Sequence, residues 1–213
     1  DGRVVKTRTN KYGVPERMGL VVGKFQGHQK GYGFVIPEEG TDIFIPISGV
    51  NGAMNKDKVM VRVLEEENGG KKCEGEIIRI LERANKTIIG IYEDSRNFGF
   101  VVPEEKRIYQ DIFIPKNCKK GAKTGEVVIV EIVQWPDGRR NPEGKVINVL
   151  GKKTEKGIDI LTIIKKNGLP EEFPAKVESY ADNIPNEIPE EEYERREDLR
   201  DLTIVTIDGE DAK

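Results

Sequence analysis

The sequence predicts a mainly β protein in which two five-stranded barrels follow one another and a short helical segment comes last. The first observation is an internal repeat: Lys30–Pro37, in which glycine alternates with aromatic residues, recurs as Arg96–Pro103. The second is that each copy is followed by Asp-Ile-Phe-Ile-Pro, at Asp42–Pro46 and Asp111–Pro115. A repeated unit of this kind indicates one supersecondary structure used twice.

Each copy of the motif belongs to a series of five strand-like segments that are separated by turns rich in Gly and Asn. This is the spacing of a small barrel or sandwich. The repeat extends beyond the motif, because Gly52-Ala53 matches Gly121-Ala122 at an offset of 69 residues. The predicted strands are residues 19–26, 31–36, 42–47, 57–64 and 74–81 in the first copy, and 86–92, 97–102, 111–115, 126–133 and 143–150 in the second. The predicted domains are a basic linker at 1–18, barrels at 19–82 and 83–151, and a further segment at 152–213.

The motif places aromatic and cationic side chains on one face of its strand, because successive side chains in a strand point to opposite sides. Glycine and branched aliphatic residues occupy the other side and would form the core. Bases of single-stranded nucleic acid stack on such aromatic rings at about 1 to 3 kcal/mol per base, while cations meet the phosphates. The residues predicted to bind RNA are Lys24, His28, Lys30, Tyr32, Phe34 and Phe44 in the first copy, and Arg96, Phe98, Phe100 and Phe113 in the second. The competing interpretation is that these aromatic residues belong to the core.

The composition narrows the possible function classes. With 34% charged residues and no apolar run of membrane-spanning length, the 213-residue chain is expected to be a cytoplasmic monomer without a membrane partner. Its one histidine, His28, excludes histidine-clustered metal sites and argues against a Ser-His-Asp triad. Cys73 and Cys118 are far apart in sequence and are expected to be plain thiols.

The charge is distributed unevenly along the chain, although the net charge is only −3. Residues 1–37 carry seven basic and two acidic residues, whereas 185–213 carry four basic and eleven acidic residues. The basic end is the part expected to follow a phosphate backbone.

The pattern changes to helical after Gly151. Residues 160–164 carry an apolar stripe that ends at Asn167-Gly168, a second helix fits 174–181, and Pro189 suits the first position of a third. A short strand, Thr203–Ile207, is predicted next, and Asp208 follows it. We expect helical content with little tertiary packing in this region.

The two motifs resemble the RNA-contacting motifs of cold-shock domains, which are five-stranded OB-fold barrels. One departure is that the second motif of that family usually ends in histidine, whereas this chain has Pro46 and Pro115. One familiar stacking partner is therefore missing from each barrel.

The order of motifs over the whole chain resembles the ribonuclease R branch of the ribonuclease II (RNB) exoribonucleases. This resemblance implies a parent enzyme that degrades single-stranded RNA hydrolytically from 3′ to 5′ and releases nucleoside 5′-monophosphates. It also implies that Asp208 is the first of several aspartates that bind Mg²⁺ at the start of an α+β catalytic domain. The chain is then expected to be a fragment that binds RNA but holds no Mg²⁺ and is inactive, since one carboxylate cannot complete an octahedral site.

Two other interpretations stay open. Tandem cold-shock barrels could form a non-enzymatic RNA chaperone, which would leave the segment after residue 151 without a purpose. The second barrel could instead be a packing domain, with its aromatic residues buried against the segment 151–213, since Glu104, Glu105 and Asp111 make its loops less cationic. RNA sequence preference and protein partners do not follow from the sequence.

Overall fold

The computed structural model describes residues 4–6, 12–15, 18–65, 73–137 and 140–209. The chain divides into two compact units, Asp1–Leu169 and Pro170–Lys213. In the part of the chain that the structure describes, the first unit contains all of the strands and the first α-helix, and the second contains two short α-helices.

The observed strands agree with the sequence expectation to within about two residues at most ends. A two-residue ribbon, β1 (Val5–Lys6) with β2 (Tyr12–Gly13), lies in the region expected to be a plain linker. The first barrel consists of β3 (Leu20–Gly27), β4 (Gly33–Pro37), β5 (Ile43–Ile45), β6 (Lys58–Glu65) and β7 (Glu74–Glu82). The second consists of β8 (Thr87–Asp94), β9 (Phe98–Pro103), β10 (Ile112–Pro115), β11 (Glu126–Gln134) and β12 (Glu143–Lys152).

Both barrels are closed and share one topology. The order around the first is β3-β4-β5-β7-β6, and around the second β8-β9-β10-β12-β11. Neighbouring strands are antiparallel except β5 with β7 and β10 with β12, where Phe44 pairs with Glu74 and Phe113 with Glu143. The mainly β prediction with two tandem five-stranded barrels is therefore confirmed, and the topology is that of an OB fold.

The barrel interiors contain the small and aliphatic residues of the motif. Val35, Ile43 and Ile45 are buried in the first barrel, as are Val101, Ile112 and Ile114 in the second. Gly33 is required by this packing, because a Cβ there would lie 2.5 Å from the Gln26 carbonyl oxygen and as close to the Phe25 ring. The ring of buried Tyr92 takes the place of Phe25 beside Gly99 in the second barrel.

A polar junction joins the two barrels within the first unit. Asp57 is fully buried, and its carboxylate accepts hydrogen bonds from the Met54 and Ala84 backbone N–H groups and from the Arg83 guanidinium, each at 2.9 Å. Arg83 also donates to the Gly52 carbonyl at 2.8 Å and lies 4.5 Å from the centre of the Trp135 ring. Arg83, in the connection between the barrels, thus contacts both of them.

Apolar contacts complete the junction. Met54, from the first barrel, is 4% exposed and packs into the core cluster of the second. At Gly52, a Cβ would lie 2.2 Å from the Pro136 carbonyl oxygen, so only glycine allows the two backbones to approach. The two barrels are therefore packed directly against each other and are not separated by a flexible linker.

Three α-helices follow the barrels within residues 153–209: α1 (Ile158–Lys166), α2 (Ala175–Asp182) and α3 (Glu190–Arg195). The end of α1 at Asn167-Gly168 is as predicted, with Gly168 at φ +63°. The apolar stripe predicted for residues 160–164 is only partly buried, however, because Ile160 and Ile163 are 61% and 59% exposed. Proline 189 is the N-cap of α3, one position before the predicted one.

The predicted strand at Thr203–Ile207 is wrong. These residues form no regular structure, and Ile207 is 91% exposed. A run of β-branched residues favours an extended chain. A strand also needs a neighbour for its backbone N–H and C=O groups, and among the described residues none pairs with this segment. None of the described helices has the length and apolarity to span a bilayer.

Candidate nucleic-acid interface

The first barrel presents a cluster of four rings on the outer surface of its sheet, which we call the first face: His28, Tyr32, Phe34 and Phe44. The strand alternation produces it, because Phe34 and Phe44 are cross-strand neighbours while Gly33, Val35, Ile43 and Ile45 point inward. All four rings are half-buried. They are therefore surface residues, and the interpretation that they form the core is wrong for this barrel.

The rings of the first face touch one another in a continuous row. His28 stacks on Tyr32, with ring centroids 4.3 Å apart and an angle of 11° between the planes. Tyr32 lies 5.7 Å from Phe44, and Phe44 lies 5.6 Å from Phe34. Such mutual contacts hold the rings in fixed orientations before a ligand arrives, which lowers the entropic cost of binding.

Two cations border the first face. Lys24 is exposed on the outer side of β3, two residues from Gln26, which is the cross-strand neighbour of Phe34. Lys30 is exposed in the turn between β3 and β4, where its backbone N–H donates to His28 Nδ1 at 3.2 Å. The structure therefore brings together all six residues that the sequence predicted for this copy.

The second barrel carries the equivalent cluster, the second face, made of Phe98, Phe100 and Phe113. Phe98 lies 5.2 Å from Phe100 and 5.7 Å from Phe113, and Phe100 lies 5.9 Å from Phe113. Phe98 is 36% exposed and the other two rings are half-buried. Arg96 is exposed in the turn that precedes β9.

The two faces differ in charge at equivalent positions. Gln26 is the cross-strand neighbour of Phe34, whereas Glu93 is the neighbour of Phe100. Two residues earlier, Lys24 in β3 is replaced by Ile91 in β8. The second face thus loses one cation and gains one anion, and it is the less favourable surface for a phosphate backbone.

Further carboxylates lie around the second face. Burial raises the pKa of Asp111, and the negative charge of Glu93 raises it further. The hydrogen bond from the Tyr92 hydroxyl at 2.8 Å lowers the pKa of Asp94, and Lys119, which pairs with it at 3.1 Å, lowers it further. The negative charge of Asp94 is therefore balanced by the positive charge of Lys119, while Asp111 and Glu93 repel each other.

Replacing Asp111 by asparagine is expected to stabilise the chain at neutral pH. Because the folded-state pKa of Asp111 is raised, folding favours its protonated form, and ionisation makes the folded state less stable. This cost disappears as the pH falls below the unfolded-state pKa of about 3.9. The variant should melt above the wild type at neutral pH and together with it in acid, as followed by circular dichroism.

Asp42→Asn is the matched control, because Asp42 precedes β5 as Asp111 precedes β10, and the position equivalent to Glu93 is occupied by the uncharged Gln26 in the first barrel. It should leave the melting temperature unchanged at both pH values. An Asp111→Asn variant that is less stable than the wild type at neutral pH would contradict the account of repulsion at the second face.

Asp208 is exposed and lies in a segment without regular structure. Within the described ranges, no group of three or more His, Cys, Asp or Glu side chains is placed to hold a metal ion. The donor set present here does not fit Mg²⁺, which requires several oxygen ligands in octahedral geometry. No hydrolytic step follows from the described residues.

Sequence reasoning missed the junction and the loop beside it. Tyr109, in the loop between β9 and β10, is 41% exposed and lines a small crevice together with Tyr32 of the first face. The signal was available, because this loop is three residues longer than its counterpart after β4. The pairing of Asp57 with Arg83 had no comparable signal, since it joins residues 26 apart outside the repeated motif.

The chain is similar to cold-shock and OB domain families and to ribonuclease R of several bacteria. Residues 23–80 match the Ribonuclease B OB domain family, and residues 100–174 match a Cold shock domain family. The whole chain aligns with ribonuclease R from Vibrio cholerae and from Acidithiobacillus ferrooxidans at 38% identity, and with that from Thermotoga maritima at 37%. It spans 26%, 49% and 30% of the lengths of these curated relatives.

Solved structures share the fold. Mycoplasma genitalium RNase R in complex with ribose methylated single-stranded RNA matches 91% of the chain with a TM-score of 0.70 at 23% identity, over 31% of its own length. Yeast Ssd1, a pseudonuclease, matches 72% of the chain with a TM-score of 0.61 at 17% identity, over 26% of its own length. At these identities the likeness concerns the fold alone.

Proposed function

We propose, for a chain that is homologous to ribonuclease R along its whole length, that it binds single-stranded RNA as part of a 3′→5′ hydrolytic exoribonuclease. In this proposal the barrels guide the strand towards a Mg²⁺-dependent active site to which Asp208 contributes one of several carboxylates. The parent enzyme releases nucleoside 5′-monophosphates in the cytoplasm. Asp208 would be one of the residues that hold such a metal, which would activate water and stabilise charge on the phosphate.

The observation that carries the proposal is the first face. Four rings in mutual contact lie on the outside of an OB barrel with Lys24 and Lys30 at its border. Every base has a π surface, so such rings bind single strands with little sequence preference, whereas bases in a duplex are stacked on each other and unavailable. The chemistry supports a single-stranded RNA ligand.

The second face is proposed as a weaker part of the same surface. Its three rings offer stacking area and Arg96 offers one cation, but Glu93 and Asp111 oppose phosphates. We expect RNA to occupy the first face before the second. The relative with single-stranded RNA bound, from Mycoplasma genitalium, is in keeping with an RNA ligand for this architecture.

The proposal is tested by titrating the 213-residue chain into a fluorescent oligouridylate of about 16 nucleotides, the upper site size of one OB fold. The same RNA annealed to its complement is the control. Affinity should be higher for the single strand, and log K should fall with log salt concentration with a slope between about −1 and −3, as expected for a few phosphate contacts.

Metal removal separates binding from catalysis. Because the first face contains no metal ligand cluster among the described residues, EDTA should leave the affinity unchanged. The chain alone should release no nucleoside 5′-monophosphate, with or without Mg²⁺. Equal affinity for duplex and single strand, or binding that requires Mg²⁺, would overturn the assignment of the first face.

A further inference from the structure

The loop between β9 and β10, residues 104–111, reaches from the second barrel onto the first. Its middle is anchored in its own barrel, where Ile108 is 8% exposed and belongs to the core cluster. On either side, Arg107 and Tyr109 point away from that core and are exposed. The anchored residue therefore fixes the direction in which its two neighbours project.

Two glycines of the first barrel lie against this loop. A Cβ at Gly27 would lie 2.5 Å from the Arg107 carbonyl oxygen, whereas a Cβ at Gly31 would lie 2.6 Å from Cδ1 of Ile47 and 3.3 Å from Cε2 of the Tyr109 ring. Gly31 has φ +88°, a conformation that favours glycine for a second reason. Both glycines flank the turn that carries His28 and Lys30, so the loop lies beside the first face.

Tyr109 lies beside Tyr32 of the first face. It lines the same crevice as Tyr32, and 41% of its surface is exposed, compared with full burial of the Tyr92 ring. Arg107 and Lys106 are exposed in the same loop, where Glu104 and Glu105 balance their charge. The exposed ring of Tyr109, more than the charge of the loop, is the feature that suits a base.

The junction holds Tyr109 in this place. Arg83 pairs with buried Asp57 and lies over the Trp135 ring, and Met54 packs into the core of the second barrel. Because these contacts fix one barrel on the other, Tyr109 does not have to be ordered when a ligand binds. A ring that is already in place adds affinity at low entropic cost.

We propose that Tyr109 of the second barrel is an RNA-binding residue of the first face, so that the surface on which single-stranded RNA stacks is shared between the two barrels. This inference rests on the proposed function of the first face. It extends the ligand from the nucleotides on Tyr32, Phe34 and Phe44 to one further nucleotide at the junction.

The test compares Tyr109→Ala, Tyr109→Phe and Tyr180→Ala with the wild type in the oligouridylate titration. Tyr109→Ala should weaken binding about five- to tenfold, towards the low end of a lost stacking contact, while Tyr109→Phe should stay within about twofold. Tyr180, a tyrosine in α2 that is 75% exposed, is the matched control and should have no effect.

The role of the junction is tested by a double-mutant cycle with Arg83→Met. If the junction positions Tyr109, the loss caused by Tyr109→Ala should largely disappear in the Arg83→Met background. The fluorescence of Trp135, the one tryptophan of the chain, reports whether the junction has changed. Should Arg83→Met fail to fold, the three tyrosine variants decide the proposal by themselves.

The outcomes separate this inference from the proposed function. If Tyr109→Ala binds like the wild type while Phe34→Ala is weakened, the shared surface is refuted and the first face stands. If neither change matters, both proposals are overturned. If Tyr109→Ala costs the same with and without Arg83, Tyr109 binds RNA but the junction does not position it.

Discussion

Replacing Asp57 by alanine is expected to lower the free energy of unfolding by about 3 to 5 kcal/mol, the cost of removing one partner from a buried ion pair. The carboxylate is completely buried and accepts three hydrogen bonds, from Arg83 and from the Met54 and Ala84 N–H groups. Burial lowers the pKa of Arg83, and the charge of Asp57 opposes that shift. Without Asp57, a partly buried guanidinium and two backbone donors lose their acceptor.

Denaturant unfolding followed by circular dichroism and by Trp135 fluorescence measures this effect. Trp135 lies against Arg83, so its emission should change before or with the loss of strand signal. Asp201→Ala, at an exposed position of the second unit, is the control and should stay within about 0.5 kcal/mol of the wild type. Equal stability of Asp57→Ala and Asp201→Ala would show that the junction contributes nothing to folding.

Replacing Phe34 by alanine is expected to weaken single-stranded RNA binding by about 5- to 150-fold, which corresponds to about 1 to 3 kcal/mol for one stacked base. Phe34 lies 5.6 Å from Phe44 and 6.3 Å from Tyr32, so its loss also removes support from the two neighbouring rings. The free energy of unfolding should change less than the free energy of RNA binding, because the ring lies on the outside of the barrel and is only partly buried.

Ile36→Ala is the matched control for this variant. Ile36 lies on the same strand and the same outer side, two residues after Phe34, and is 40% exposed, but it is aliphatic. Fluorescence anisotropy at one salt concentration should show a large loss for Phe34→Ala and less than about a twofold change for Ile36→Ala, as expected if stacking and not apolar area holds the base. Equal losses in the two variants would argue against stacking.

Much of the first unit could be predicted from sequence because its information is local and present twice. The alternation in Lys30–Pro37 and Arg96–Pro103 assigned Gly33 and Val35 to the core and Phe34 to the surface, and the structure confirms this. The repeat also predicted the shared topology. That these rings bind RNA stays a prediction.

The junction could not be predicted in the same way. Asp57, Arg83 and Trp135 lie far apart in sequence, and no periodic pattern indicates that a charged residue is to be buried. The contrast between Gln26 and Glu93 was readable from the alignment of the two copies, but its meaning depends on the cross-strand pairing with Phe34 and Phe100. The wrong prediction of a strand at Thr203–Ile207 has a different cause. A local β-branched pattern does not produce a strand where no neighbouring strand pairs with it, and none of the described strands does so here.

The measurement that tests the central claim most directly is an NMR titration of the chain, labelled on its phenylalanine rings, with single-stranded oligouridylate. The chain has seven phenylalanines, which differ in burial and location. Phe25 is 3% exposed, Phe173 is 73% exposed in the second unit, and the other five lie on the two faces. Single Phe→Leu variants assign the signals.

We predict that the Phe34 and Phe44 signals shift first, that Phe98, Phe100 and Phe113 follow only at higher RNA concentration, and that Phe25 and Phe173 do not move. The order follows from the charge difference between the faces, since Glu93 and Asp111 border only the second. Shifts confined to Phe173, or bound RNA with unchanged Phe34 and Phe44 signals, would contradict the account and place the RNA-binding surface elsewhere in the chain.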